Sequence, residues 1–245
     1  MSLELEDHRW FPPWLRRYQM EYISFIAAKF ALYTPVLPIL ATMKQQNNLT
    51  AWTDCCTGAA GPVQFLLSKQ FFADTIFLTD KYLQPISIAT PNTVVTFASI
   101  DILKDAIPGN GLVTMFNALH HFSQQERQLI IATISRTNRP FVFAEITHPS
   151  LINFLAITLA TTLGQLLFTP FVHPFQLKRL LFTYLIPINL FTITWDGWMS
   201  VFRSISAKRF IALVNETSTQ NYSVSFVQKG PWWQKVSILT GQPNI

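Results

Sequence analysis

A turn of small residues next to acids is the part of this sequence whose residue types and spacing best suit chemistry. Residues 54–62 read Asp-Cys-Cys-Thr-Gly-Ala-Ala-Gly-Pro, and Asp80 follows further along the chain. Small residues let the backbone approach a ligand closely, and a helix that starts at the turn offers free N–H groups. An acid about 20 residues beyond such a turn can accept hydrogen bonds from a ribose. Together these features predict a nucleotide-type binding site.

The elements around the turn must hold it at the edge of a sheet. A strand-like run, residues 49–53, precedes the turn, and a helix-like run, residues 63–72, follows it. A second strand-like run, residues 75–79, ends at Asp80. This order of strand, turn, helix, strand and acid is the layout of a ligand site at the carboxyl ends of the strands in an open α/β sheet.

The glycine spacing separates two families that use this layout. Gly58 and Gly61 enclose two alanines, and Cys56 stands where a dinucleotide-binding fingerprint has its first glycine. A nucleotide-cofactor oxidoreductase needs that fingerprint, which is absent. Asp-x-Cys-Thr-Gly-Ala-Ala-Gly-Pro instead resembles motif I of class I S-adenosylmethionine (SAM) dependent methyltransferases. Many members of that family have glycine where Cys56 and Ala60 stand here.

The resemblance covers residues 49–147 and extends in outline to the C-terminal residues. It implies SAM as cofactor, with Asp80 at the ribose and Asp101 at the adenine. Asp54 is placed either for the methionine amine or for ordering the turn. The residues that the resemblance implies for cofactor binding are Asp54, Cys56, Thr57, Gly58, Gly61, Asp80, Lys81, Asp101, Ile102 and Asn117.

Two adjacent histidines are the candidates for work on the methyl acceptor. Residues 114–122 look like the family's fourth strand and its Asn-x-x-His-His loop, which contains His120 and His121. A histidine titrates near neutral pH and can take a proton from the acceptor. The alternative is that one histidine bonds the backbone while the other packs. Glu145 ends the fifth strand-like run and can orient substrate. No His/Cys cluster has zinc spacing, so no metal site is predicted.

Composition narrows the class of protein. The chain has 245 residues, of which 49% are hydrophobic and 13% charged, and its net charge is +5. The basic residues form pairs instead of a stripe, which argues against a nucleic-acid partner. Such pairs beside apolar runs suit an anionic membrane surface or plain solvated surface. The two cysteines are adjacent, which disfavours a disulfide, and residues 1–7 carry no apolar run. A reducing, cytoplasmic location follows, with membrane association as an addition.

Alternating strand and helix patterns predict the fold. We expect an α/β, Rossmann-like sheet of seven strands, mostly parallel, closed by an antiparallel C-terminal hairpin. The hairpin strands are predicted at residues 222–228 and 235–239, and a leading helix at residues 14–33. Four segments follow from this interpretation: a helical cap over residues 1–48, a SAM-binding core over 49–148, an apolar helical insertion over 149–205, and a last helix with the hairpin over 206–245.

The predicted insertion has an unusual composition. Residues 149–175 and 180–194 contain no Asp, Glu, Lys or Arg, and Lys178 and Arg179 lie between these two runs. Such runs must bury against something. The insertion can pack on the core, lie on a membrane, line an apolar pocket or pair with another subunit. Its one acid, Asp196, is either a buried partner of Arg179 or Arg203 or part of a pocket wall, and the ion pair is the expectation.

Two functions are compatible with the sequence. The first is a SAM-dependent methyltransferase that acts on a small apolar or amphiphilic acceptor, with peripheral membrane contact or a homodimer formed through the insertion. The second is a membrane-associated, non-catalytic protein that keeps the fold as a binding or partner module. Binding of SAM distinguishes them.

Overall fold

One seven-stranded sheet organises the chain, in the order β3-β2-β1-β4-β5-β7-β6. The computed structural model describes residues 4–71, 73–83, 87–88, 90, 93–217 and 222–244. Strands β1 to β5 are parallel, and β7 is antiparallel to both β5 and β6. The predicted mostly parallel sheet with an antiparallel C-terminal pair is confirmed. The strands are β1 Ala51–Cys55, β2 Thr75–Asp80, β3 Val94–Ser99, β4 Leu112–Phe116, β5 Phe141–Glu145, β6 Tyr222–Lys229 and β7 Val236–Pro243.

The first strand lies two residues later than the sequence predicted. The backbone N–H of Leu49 donates to the carbonyl of Lys44, so Leu49 still belongs to the end of the preceding helix. The ladder begins at Ala51, opposite Thr75, and runs to Cys55. Asp54 consequently lies inside the strand and not after it.

Helices cover both faces of the sheet. Apolar residues of strands β4 and β5 are buried at every position, as expected for central parallel strands. Helix α4 begins with a capping box between Ser123 and Glu126. Outside the insertion the helices are a 3-10 turn at Leu5–Asp7, α1 Pro13–Lys29, α2 Leu37–Gln46, α3 Gly61–Ser68, α4 Gln124–Arg136 and α9 Ala207–Thr217.

The region between β5 and α9 is helical. It contains α5 Leu151–Leu159, α6 Gln165–Phe168, α7 Leu177–Leu180 and α8 Ile188–Arg203, with π-helical turns at Ala160–Gly164 and Leu181–Leu185. Leu151–Phe171 forms a helix that is long and apolar enough to cross a membrane. Only 17% of its apolar 18-residue stretch is buried inside the protein. Helices Pro13–Lys29 and Thr34–Gln46 are long and apolar enough to cross a membrane only when taken together, and they are bent by 69° relative to each other.

The polarity of this region is inverted relative to that of a protein in water. A stripe of large apolar side chains four residues apart is exposed: Leu151, Leu155, Leu159, Leu163, Leu167 and Phe171. Most of the side chains that are buried in this region are polar, although Val172, Ile193 and Val201 are buried too. The polar ones include Asn153, Thr161, Gln165, Thr169, Thr183 and Asn189. Helices in water bury their apolar stripe, so the outer face requires an apolar neighbour.

The expected ion pair of Asp196 with Arg179 is wrong. Arg179 is buried and pairs with Glu21 of α1, and its guanidinium also donates to the carbonyls of Val172 and Pro174. A buried guanidinium needs several acceptors, and the bend at residues 172–174 supplies carbonyls that composition does not reveal. Asp196 instead faces the N-terminal 3-10 turn.

Candidate functional site

The turn after β1 is built from left-handed residues. Cys56, Gly58 and Ala60 have φ angles of 57°, 53° and 54°. Glycine adopts this conformation freely, whereas other residues lose roughly 1–2 kcal/mol there. Cys56 and Ala60 are therefore the two positions at which glycine would relieve strain. Both departures from motif I lie at these left-handed positions.

Helix α1 lies directly over this turn. A Cβ on Gly61 would come within 2.4 Å of the Ser24 side chain, and one on Gly58 would lie 3.8 Å from the Met20 sulfur. Gly61 therefore permits α1 to pack on the first turn of α3. Only Gly61 is closely approached by α1, whereas a Cβ on Gly58 would make ordinary van der Waals contact.

Asp54 is buried in the sheet next to the turn. Its Oδ1 accepts the Thr114 hydroxyl at 2.6 Å, and the same hydroxyl accepts the Trp52 indole N–H at 2.6 Å. The Thr79 hydroxyl donates to the Asp54 carbonyl. Burial raises the pKa of Asp54 to about 7. This network ties β1 to β4 and to β2, which favours the ordering role over contact with an amine.

Asp80 joins the turn to the end of β2. Its Oδ2 accepts the N–H of Gly58 at 2.8 Å, and its Oδ1 accepts the N–H of Tyr82 at 2.8 Å. A carboxylate has about four lone-pair sites. The two backbone bonds hold the group in place and leave acceptor capacity for a ligand.

Lys81 and Asp101 meet at the ends of β2 and β3. The Lys81 Nζ lies 3.0 Å from Asp101 Oδ2, and the N–H of Leu103 donates to Asp101 Oδ1 at 3.2 Å. Burial raises the pKa of Asp101, but the Lys81 contact outweighs it and the net shift is downward. Ile102 is buried beside them. These three predicted cofactor residues lie together.

His120 and Glu145 form a buried pair after β4 and β5. The Nδ1 of His120 lies 2.5 Å from Glu145 Oε2, while Glu145 Oε1 accepts the N–H groups of Ala118 and Leu119 at 3.0 and 2.9 Å. The His120 Nε2 has no hydrogen-bond partner among the residues that the structure describes. Asn117, with a φ of 50°, accepts the N–H of Ile146 and so joins the two strand ends.

His121 contacts acids of the N-terminal 3-10 turn. Its Nδ1 pairs with Glu4 and lies 3.1 Å from Asp7 Oδ1, and its Nε2 lies 3.6 Å from Glu6 Oε1. Burial lowers the pKa of His121, but the contacts with Glu4 and Asp7 raise it well above the usual value. Sequence reasoning missed these acids. The only signal in the sequence was that three acids lie within residues 4–7 of a chain that contains few acids.

The 3-10 turn is fastened from two sides. Asp196 accepts the N–H groups of Leu5 at 2.6 Å and Glu6 at 3.3 Å. Arg16 donates to the Glu6 carbonyl at 2.7 Å, and its guanidinium carbon lies 5.0 Å from the centre of the Tyr82 ring. The N-terminal residues therefore lie across the carboxyl ends of the strands, from the histidines to the residue beyond Lys81.

Comparison with known proteins defines the fold. No protein-family model and no curated protein matches the chain. The chain is similar to the structure of the plantazolicin methyltransferase BpumL in complex with SAH, with a TM-score of 0.61, 8% identity, and coverage of 98% of this chain and 94% of that one. A second BpumL complex, with a monoazolic desmethylPZN analog and SAH, gives a TM-score of 0.57, 9% identity, and coverage of 95% and 91%. The chain has the Rossmann-like fold of class I methyltransferases.

Proposed function

We propose that this protein is a SAM-dependent methyltransferase. The observation that carries this proposal is the convergence of the left-handed turn, Asp80 and the His120–Glu145 pair at one edge of the sheet. Ligands of open α/β sheets bind at the carboxyl ends of the strands. BpumL, which shares the fold, is complexed with SAH.

Each part of this edge fits one part of SAM. The backbone around Gly58 suits the methionine portion, and the spare lone pairs of Asp80 suit the ribose hydroxyls. Asp101 and Ile102 border the adenine position, and Asn117 borders the methyl group. In the reaction the bond from sulfur to methyl carbon breaks, its electron pair stays on sulfur, and the acceptor atom bonds to the carbon. Positioning supplies much of the rate of such a displacement.

The acceptor side is assigned to the two histidines. Glu145 fixes the tautomer of His120, because its carboxylate already accepts two N–H groups and so acts as acceptor toward Nδ1. The lone pair at Nε2 is then directed away from Glu145. His120 and His121 border the acceptor, and Glu145 positions His120.

A groove leads from the turn toward the insertion. It has a volume of about 680 Å³ and runs along α1 between Ala59 and Gly61 at one end and His173 and Pro174 at the other. Apolar side chains such as Met20, together with Phe25 and Phe65, share its lining with Arg17 and Glu21. This mixture suits a small apolar or amphiphilic acceptor.

We further propose that the insertion enters a lipid leaflet. Its exposed face is apolar along the whole length of Leu151–Phe171, while most of its buried side chains are polar. Polar side chains between helices and apolar ones outside are what a hydrocarbon environment selects. Since the chain returns to the sheet at β6 and β7, the insertion lies in one leaflet instead of crossing both.

Aromatic and basic side chains mark the border of the inserted region. Trp14 packs on Phe182 with ring centroids 4.7 Å apart, and Trp233 lies 6.2 Å from Phe30. Lys178 is exposed beside Leu177, and Lys29 lies over the ring of Phe168. Tryptophan and lysine at such a border favour a membrane surface over a second protein subunit.

Calorimetric titration with SAM and with SAH tests the methyltransferase proposal. We expect saturable binding of one molecule per chain. A folded protein that binds membranes but neither SAM nor SAH would refute the enzymatic proposal and support a non-catalytic binding module.

A further inference from the structure

Three side chains from opposite ends of the chain converge beside the site. Glu4, His120 and His121 each bring one potential ligand atom, and these atoms lie within 4.8 Å of one another. Glu4 and His120 are buried, and His121 is largely buried. Two imidazoles and one carboxylate are a donor set that binds zinc and related divalent metals in proteins.

His120 is oriented as a metal-binding histidine is. Metal-bound histidines donate the second ring N–H to a carboxylate or carbonyl, which fixes the tautomer. Glu145 fills this position at the Nδ1 of His120. The opposite nitrogen, Nε2, is buried and has no hydrogen-bond partner within the described part of the chain. A buried lone pair without a partner is costly, which points to a ligand at this atom.

The negatively charged side chains around His121 also favour a bound cation. Glu4, Glu6 and Asp7 all face this one imidazole. Asp196, behind the same turn, adds a further carboxylate. Arg203 lies 3.9 Å from Asp7, but Glu4 and Asp196 are buried, and a divalent ion supplies more positive charge to these carboxylates than one imidazolium does.

We propose that Glu4, His120 and His121 bind a divalent transition-metal ion, with zinc the best match. His121 would release its proton to solvent on binding, since a ligating imidazole must be neutral. Three protein ligands leave a coordination position open, where an acceptor oxygen can bind and lose its proton more readily. The catalytic consequence rests on the proposed methyltransferase function, but the binding site does not.

The test uses the full chain after dialysis against a chelator. Titration with Zn²⁺ in a calorimeter should show one site per chain, and Co²⁺ should give the visible absorption of a four-coordinate ion. The variants Glu4→Gln and His120→Gln should each bind Zn²⁺ at least roughly tenfold more weakly. His173→Gln serves as the matched control, because His173 is exposed on the insertion.

Two outcomes overturn the site. Wild-type protein without saturable Zn²⁺ binding and without a Co²⁺ spectrum has no such site, and His121 then simply pairs with the acids. Variants that are folded by circular dichroism and bind Zn²⁺ as wild type does exclude these ligands. SAH titration in parallel separates the two proposals: binding of SAH without metal refutes only the site, and binding of metal without SAH refutes only the enzyme.

Discussion

At the scale of single residues, Asp80 is held in position before any ligand arrives. Two backbone N–H groups, from Gly58 and Tyr82, fix both oxygens of its carboxylate. A group that is already oriented loses little freedom when it binds, which increases affinity. The same contacts couple it to the turn after β1.

Replacing Asp80 by Asn tests this placement. We expect affinity for SAH to fall by about 1–3 kcal/mol, because an amide cannot accept all the hydrogen bonds of the carboxylate. Calorimetric titration measures the loss. Asp74→Asn is the control, because Asp74 is exposed at the opposite end of the β2 region. Equal affinity of Asp80→Asn and wild type would remove Asp80 from the ribose site.

The raised pKa of Asp54 predicts how the free energy of unfolding depends on pH. Its folded pKa of about 7 lies above the ordinary value of 3.8 for an aspartate because burial disfavours the charge. A carboxyl whose folded pKa is raised favours folding at low pH, and this contribution is lost as pH rises between the two values. The free energy of unfolding should fall by up to about 1.4 kcal/mol per pH unit in that window.

Urea unfolding at several pH values between 4 and 7 measures this slope in wild type and in Asp54→Asn. The variant should show a shallower decline, since Asn does not ionise. Asp74→Asn should retain the wild-type slope. Identical slopes in all three proteins would show that Asp54 stays charged in the folded state.

At the scale of elements, α1 connects the site with the insertion. It contacts the turn through Ser24 at Gly61. One turn earlier, the Tyr22 hydroxyl donates to the carbonyl of Ala160 at 2.5 Å, and Glu21 pairs with Arg179. A shift of the insertion on a membrane would therefore move the helix that covers the turn.

A charge on the apolar stripe should weaken membrane binding. Leu163 is 55% exposed near the middle of Leu151–Phe171. Leu163→Asp should reduce partitioning into lipid vesicles at least roughly tenfold, because a charge in hydrocarbon costs about 2.5–3.5 kcal/mol. Vesicle flotation measures the bound fraction. Leu129→Asp is the control, since Leu129 is 42% exposed on α4.

If both aspartate variants float as wild type does, the stripe does not contact lipid. Loss of a dimer in Leu163→Asp, detected by sedimentation without vesicles, would assign the stripe to a second subunit.

Asp196 should hold the N-terminal turn in place. Asp196→Asn removes the charge from the acceptor of two backbone N–H groups, those of Leu5 and Glu6. We expect hydrogen exchange at these two amides to accelerate roughly fivefold, in line with a loss of about 1 kcal/mol. Mass spectrometry of the N-terminal peptide measures this exchange. Unchanged exchange would mean that the contacts of Arg16 and His121 hold the turn without Asp196.

The sequence predicted most of the fold because strong local signals agree along the chain. Alternating apolar strands, the capping box at Ser123 and the small residues at 57–61 each specify their own neighbourhood. It placed β1 early because Leu49 is apolar like the strand that follows. Hydrogen bonding, which hydropathy does not report, decides that boundary.

The candidate site was predictable only where its residues follow the strands. Asp80 and His120 could be found because parallel strands bring their carboxyl ends to one edge. Glu4 and Asp7 could not, because their contact with His121 depends on how α1 and α8 fold back over the sheet. Pairings between distant residues leave no periodic signal in one sequence.

At the scale of the whole molecule, the site and the apolar region share one side. The insertion starts just beyond the carboxyl end of β5, next to Glu145. Ligands of the sheet bind at that same edge. Under the proposed function, an apolar acceptor would pass from lipid to the site without entering water.

Brominated lipids should quench the tryptophan fluorescence of the bound protein. Trp14 and Trp233, which lie at the border of the inserted region, should be quenched by shallow bromine labels more than by deep ones. Anionic vesicles at low salt should bind more protein than neutral ones. Quenching that is absent, or that increases with label depth, would contradict insertion into one leaflet.

The pairing of β5 with β7 has a consequence for biosynthesis. Phe141 of β5 pairs with Gly241 of β7, so the edge of β5 stays open until the C-terminal hairpin has been translated. The apolar insertion leaves the ribosome during this interval. Nascent chains would thus expose the apolar insertion before the sheet can close, and the order of synthesis would favour contact with a chaperone or, under the proposed membrane contact, with a bilayer.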